Sequence, residues 1–174
     1  LQIDPKYKEA YYNIGIANKN ENKFILAVEN FQKAINLDKN YQDAHFGLGN
    51  ILLVQEKYSE AIKIFELILE INSTYLEAHI NIGFALDKLG KYKEAIERNI
   101  KILEIDPFFK VAHLNIGYSF DKLGKNSQAI KWYKKLLELD PEYKDAHLNI
   151  GVSFDKMGKF EEASKCYQKV LEID

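Results

Sequence analysis

Apolar residues in this chain recur at steps of three and four, in stretches of about a dozen residues. Ile82, Ala85, Leu86 and Leu89 trace one such stripe, and Ala95, Ile96, Ile100 and Leu103 trace the next. That spacing puts the apolar side chains on one face of an α-helix, so the pattern predicts two amphipathic helices joined by a turn. The turn reads DKLGKY at 87–92 and returns as DKLGKN at 121–126 and DKMGKF at 155–160. Gly90, Gly124 and Gly158 suit the left-handed conformation that closes a helix. Asn22 fills this place in an earlier copy, and Glu56 fills it in another. Glu is the least favourable residue there, so that turn is expected to be strained or differently shaped. The second helix is expected to end near Asp106-Pro107 and Asp140-Pro141, because Pro restricts its predecessor and opens a following helix at little cost.

The pattern repeats along the whole chain. Gly15, Gly49, Gly83, Gly117 and Gly151 stand 34 residues apart, and the same step carries Tyr11 to His45, His79, His113 and His147. It also links Ala27, Ala61, Ala95, Ala129 and Ala163, joins Pro107 to Pro141, and returns three steps back to Pro5. A fixed period of this length is the signature of a repeat architecture. The expected repeats are 8–41, 42–75, 76–109, 110–143 and 144–174, preceded at 1–7 by the tail of another. The chain starts at Leu1 without Met, so it is expected to be a fragment of a longer protein.

A 34-residue helix–turn–helix with a large residue, Ile or Leu before Gly, then Ala, an aromatic and Pro resembles the tetratricopeptide repeat. The fourth copy carries the pattern in full as His113, Ile116, Gly117, Phe120, Ala129, Tyr133, Leu136 and Pro141. The strict 34 argues against the 35-residue, RNA-reading pentatricopeptide repeat. Departures are Asn18 and Asn99 at aromatic positions, and Lys39 and Ser73 in place of Pro. The resemblance implies an all-α fold, an α-solenoid of stacked helix–turn–helix repeats in a right-handed superhelix, forming one repeat domain over 1–174. Small Gly and Ala are expected where helices cross closely, with stability arising from stacking along the array.

Composition narrows the function classes. At 47% hydrophobic, 13% aromatic and 29% charged over 174 residues, the chain is that of a folded protein. With 24 basic and 26 acidic residues it has no positive field for nucleic acid. The longest aliphatic run, Ile51 to Val54, is far short of the ~20 residues that a membrane span needs. A cytoplasmic location is expected.

Candidate chemistry is sparse. The four His recur a full repeat, roughly 10 Å, apart, whereas zinc needs its nitrogen ligands at about 2.0–2.1 Å from one centre. They are read as packing residues, and no metal or other cofactor is expected. Cys166 has no His beside it in sequence, and no phosphate loop or hydrolase motif occurs, so no catalytic residue is assigned and no enzyme activity is expected. The pairs Asp87-Lys88, Asp121-Lys122 and Asp155-Lys156 are read as solvated helix-end charges.

The resemblance then implies a concave groove lined by the first helix of each repeat. The residues expected to face it are Tyr12, Asn13, Ile16, Phe46, Asn50, Ile80, Asn81, Phe84, Leu114, Asn115, Tyr118, Leu148, Asn149 and Val152. An amide both donates and accepts, so the column Asn13, Asn81, Asn115 and Asn149 suits the backbone of an extended peptide; Gly47 interrupts it. Asn115→Ala is expected to leave melting nearly unchanged. The early first-helix positions Glu9, Asp43, Glu77 and Asp145 are acidic, with Val111 the exception, and the cationic clamp that chaperone-type members use on acidic tails is missing. The expected function is an adaptor that binds a protein or peptide partner, apolar or aromatic and neutral to basic, with neither nucleic acid nor membrane involved. Two alternatives remain: the substrate-recruiting arm of an enzyme such as an O-linked glycosyltransferase, or a module that self-associates end to end.

Overall fold

The computed structural model describes residues 6–173, among which there are ten α-helices and no strand. Pro5 and most of the expected preceding tail lie outside the described residues. The chain divides between Leu89 and Gly90 into two compact units.

The first unit contains α1 (Lys6–Asn20), α2 (Phe24–Leu37), α3 (Gln42–Val54), α4 (Tyr58–Ile71) and α5 (Leu76–Lys88). Each helix packs on the next, and α1 also reaches α3. Ala27, Phe31, Phe65 and Ile82 are fully enclosed. The glycines explain how the helices come so close: a Cβ on Gly15 would stand 2.6 Å from the Phe31 ring, and one on Gly49 would stand 2.7 Å from the Phe65 ring. Gly here is a seat for an aromatic ring, each of which stabilises by roughly 1.5–3 kcal/mol through burial alone.

The second unit contains α6 (Tyr92–Ile105), α7 (Lys110–Lys122), α8 (Asn126–Leu139), α9 (Lys144–Lys156) and α10 (Phe160–Glu172). Neighbours in sequence again pack together, with α7 also touching α9. Its core gathers Ala129, Ile130, Tyr133, Leu136, Ala146 and Ile150, with Leu114, Phe120, Tyr143 and Cys166 around them. Gly117 receives the Tyr133 ring and Gly151 the Tyr167 ring. Each unit is thus a stretch of stacked helical hairpins.

The turns follow two rules. After α1, α3 and α7, one residue takes positive φ: Asn22 at 59°, Glu56 at 58° and Gly124 at 72°. Glu56 N–H donates to Leu53 O at 3.0 Å and Lys57 N–H to Leu52 O at 2.8 Å, and the same two bonds recur at Gly124 and Lys125. The Glu56 turn therefore keeps the common shape and carries the strain. After α2, α4, α6 and α8, an Asp or Asn carboxamide or carboxylate oxygen accepts the N–H two residues on, at Asn40, Thr74, Phe108 and Glu142. This bond forms whether Lys39, Ser73 or Pro follows the Asx residue, which is why losing Pro does not change the turn.

The four His complete the same corner. Their Nε2 atoms lie 2.8–3.1 Å from the carbonyls of Lys39, Ser73, Pro107 and Pro141, six residues back in each case. A carbonyl only accepts, so Nε2 carries a proton and donates. Each His is a clasp between the start of a first helix and the turn before it, a polar role added to the packing one.

Candidate functional site

The fourteen expected groove residues lie on first helices, and none is fully buried. In the first unit Tyr12, Asn13 and Ile16 come from α1, Phe46 and Asn50 from α3, and Ile80, Asn81 and Phe84 from α5. In the second, Leu114, Asn115 and Tyr118 come from α7, and Leu148, Asn149 and Val152 from α9. Asn13, Phe84, Tyr118 and Leu148 are exposed, and the others half-buried.

The amides are not equivalent. Asn81 Nδ2 donates to Asn50 Oδ1 at 3.0 Å, bridging α5 and α3. The Asn81 oxygen and the Asn50 amino group then remain as one acceptor and one donor side by side. Asn115 Nδ2 instead reaches Asn99 Oδ1 at 3.4 Å. Asn99 is buried at an aromatic position of the repeat and donates its own Nδ2 to Ala95 O at 2.9 Å. Removing the Asn115 amide would take this donor from the buried Asn99 oxygen, so Asn115→Ala is now expected to cost stability. Asn13 and Asn149 make no side-chain hydrogen bond among the described residues. Gly47 interrupts the column because a Cβ there would stand 2.6 Å from Phe31 Cζ.

Several aromatic positions serve packing as well as surface. The Tyr12 ring lies 5.8 Å from Phe31 and 5.5 Å from Tyr41, and Phe46 lies 5.7 Å from both Phe65 and Tyr75. Phe84 and Tyr118 each carry an ammonium over the ring, from Lys88 at 5.3 Å and Lys122 at 5.0 Å. Tyr41 and Tyr75, each in the residue before a first helix, were not among the expected groove residues. Their signal is the same 34-residue step, which continues to Phe109 and Tyr143.

In the first unit the phenols of Tyr12, Tyr41 and Tyr75 all titrate above the usual tyrosine range. Burial is the first cause in each; the negative charge of Asp43 adds to all three and that of Glu77 to Tyr75.

The second unit corrects the reading of one Asp-Lys pair, Asp121-Lys122, while Asp155 is exposed as expected. Asp121 has a nearly buried carboxylate that accepts from Ser153 Oγ at 2.9 Å and from Tyr133 OH at 3.4 Å, with Lys156 Nζ 3.9 Å away. It is a polar tie between α7, α8 and α9, not a solvated charge. Burial pushes the Cys166 thiol up, against the thiolate that a nucleophile needs. Among the described residues no three His, Cys, Asp or Glu gather as metal ligands, and no helix is long and apolar enough to cross a membrane.

A family model described as tetratricopeptide repeat matches residues 20–72 and 52–114, spanning more than half of the chain; others described as TPR repeat and tetratricopeptide repeat match 117–158 and 145–174. No curated protein matches significantly. Among solved structures, a MamA protein is 23% identical with a TM-score of 0.88, covering 96% of this chain and 91% of its own. MamA 41-end from Desulfovibrio magneticus RS-1 is 21% identical with a TM-score of 0.88, covering 99% of this chain and 97% of its own. YrrB, described as a TPR protein with an unusual peptide-binding site, is 26% identical with a TM-score of 0.78, covering 94% of this chain and 84% of its own.

Proposed function

This chain belongs to the tetratricopeptide-repeat family, and on that premise we propose that it is a protein-interaction scaffold whose first-helix faces capture an extended peptide segment of a partner. The observation that carries the reading is the Asn81–Asn50 bridge. It leaves an uncommitted acceptor and donor next to each other on adjacent first helices, the complement of an extended backbone's own N–H and C=O. Asn13 and Asn149 offer further open amides. Half-buried Ile16, Phe46 and Ile80 in the first unit, and Leu114 and Val152 in the second, supply an apolar floor that suits apolar or aromatic side chains. YrrB, a structural neighbour described as having a peptide-binding site, supports the same reading.

Binding of capped, fluorescently labelled nonapeptide libraries tests it. Asn81→Ala is expected to raise the apparent Kd of the bound fraction roughly tenfold, the loss of about 1.4 kcal/mol of backbone hydrogen bonding. Unchanged affinity in a variant of native helicity removes the amide-ladder mechanism.

A second reading rests on α10, where Phe160 and Leu171 are 70% and 83% exposed. Such a face supports association with another apolar helix, including a second copy of this chain. A mass in solution that stays monomeric up to high concentration would remove self-association.

A further inference from the structure

We propose that the first unit holds a seat for a cationic side chain, Arg in preference to Lys, formed by Tyr12, Tyr41 and Tyr75 around Asp43. The proposal rests on the peptide-capture reading and names what one residue of the captured segment must be.

Two repeats contribute to the seat, 8–41 through Tyr12 and Tyr41 and 42–75 through Asp43 and Tyr75. Tyr12 projects from α1, Tyr41 precedes α3, Tyr75 precedes α5, and Asp43 opens α3. The Tyr12 and Tyr41 rings are 5.5 Å apart, and Phe46 on α3 ties in the Tyr75 ring at 5.7 Å. Asp43 and Phe46 stand three residues apart on α3 and so share one face of that helix, the face whose Phe46 ring meets Tyr75, and Tyr75 accordingly feels the charge of Asp43. The aromatic faces and the carboxylate are the two elements that bind a guanidinium: the ring quadrupole attracts the cation, and the planar fork pairs with the carboxylate.

Charge complementarity identifies the occupant. Exposed Glu9, Asp43 and Glu77 line this side of the first helices, and none has an ion-pair partner among the described residues. The Lys8 ammonium lies 5.0 Å over the Tyr41 ring but is held 2.6 Å from Asp38. It shows that this ring accepts a cation while leaving Asp43 without one. Phosphates and acidic tails are repelled by the same carboxylates. The second unit lacks the arrangement: Asp145 keeps a carboxylate on α9, but Val111 stands at that register on α7, and Leu114 and Leu148 replace the aromatic residues of α1 and α3.

Two capped nonapeptide libraries decide the matter. Both vary Ala, Leu, Phe and Ser at the outer positions, and the central residue is Arg in one and uncharged citrulline in the other. The Arg library is expected to bind about tenfold more tightly at low salt. Asp43→Asn, a change at an exposed residue that spares the fold, should bring the two libraries within twofold, whereas Asp145→Asn in the second unit should leave the preference intact. Equal binding of both libraries that is weakened alike by Asn81→Ala overturns the cation seat and leaves peptide capture standing. A preference that survives Asp43→Asn also overturns it. Absence of binding by either library overturns both readings.

Discussion

The hydroxyl of Ser153 on α9 stands 2.9 Å from both carboxylate oxygens of Asp121 on α7, and it also lies 2.9 Å from Asn149 O one turn back on its own helix. Two first helices of the second unit are thereby joined through a carboxylate that water scarcely reaches. Ser153→Ala leaves that carboxylate short of its nearest donor, and a charged acceptor so exposed to loss costs about 1–3 kcal/mol. Urea unfolding should show this drop, and Asp121→Ala combined with Ser153→Ala should cost less than the two single changes together. Simple additivity would mean that the two residues act independently.

The amides of Asn115 and Asn149 occupy the same place in successive repeats but should differ in stability. Asn115→Ala orphans the buried Asn99 oxygen and is expected to cost about 1–2 kcal/mol. Asn149→Ala removes no hydrogen bond and should stay within about 0.5 kcal/mol of the parent. Thermal melts of the two variants side by side make the comparison, and equal melting temperatures would contradict it.

Gly47 cannot be returned to the Asn column. Gly47→Asn forces a side chain into the Phe31 ring and should destabilise by several kcal/mol, as should Gly117→Leu against Tyr133. Chemical denaturation measures both, and a Gly47→Asn protein of unchanged midpoint would show that Phe31 has somewhere else to go.

Glu56 pays for its left-handed backbone at 58° in conformational strain. Glu56→Gly relieves it and is expected to stabilise by about 1 kcal/mol. Gly124→Ala is the converse: nothing lies within 4 Å of its Cβ position, yet φ of 72° should cost about 1 kcal/mol. If Glu56→Gly lowers the unfolding midpoint, the strain argument fails.

Alkaline pH should unfold the protein through its tyrosines. Tyr167 donates to Asp155 and is pushed up from 10.0 to about 12 by that bond, with burial and the Asp155 charge adding to it. Burial pushes Tyr133 up further, with Asp121 contributing. A folded-state value above the unfolded one stabilises fully below pH 10 and is lost as pH rises through the folded value. Stability should therefore be flat just below pH 10 and fall between about 10 and 12. Phenolate absorbance followed with helicity tests this, and ionisation of all tyrosines near pH 10 without loss of helix would refute it.

Periodicity alone predicted paired helices in a repeating unit, because amphipathic spacing and the small residues at crossings are local features of the chain. The first residues of α3, α5, α7 and α9 coincide with the 34-residue boundaries. Helix-end chemistry was legible in the Gly, Asn and Asx positions, although Glu56 adopted the common turn against its own preference, held by the same pair of backbone hydrogen bonds as the Gly124 turn. The His column announced a bulky residue but not its clasp on a carbonyl six residues back, which exists only once the turn has folded.

What sequence determined by itself, then, is the repeat, its helices and the set of residues that first helices present. Tertiary structure decided which of those residues are free. Asn81 and Asn115 look alike in the column, yet one pairs with a half-buried amide and the other with a buried one, since their partners lie 31 and 16 residues away. Asp121 reads as a surface charge until α9 brings Ser153 against it, and the Tyr12 and Tyr41 rings meet only once the chain turns back from α2 to bring the start of α3 beside α1. Such relationships join residues 16 to 32 apart on different helices, and a period in sequence encodes that residues recur without encoding what meets what.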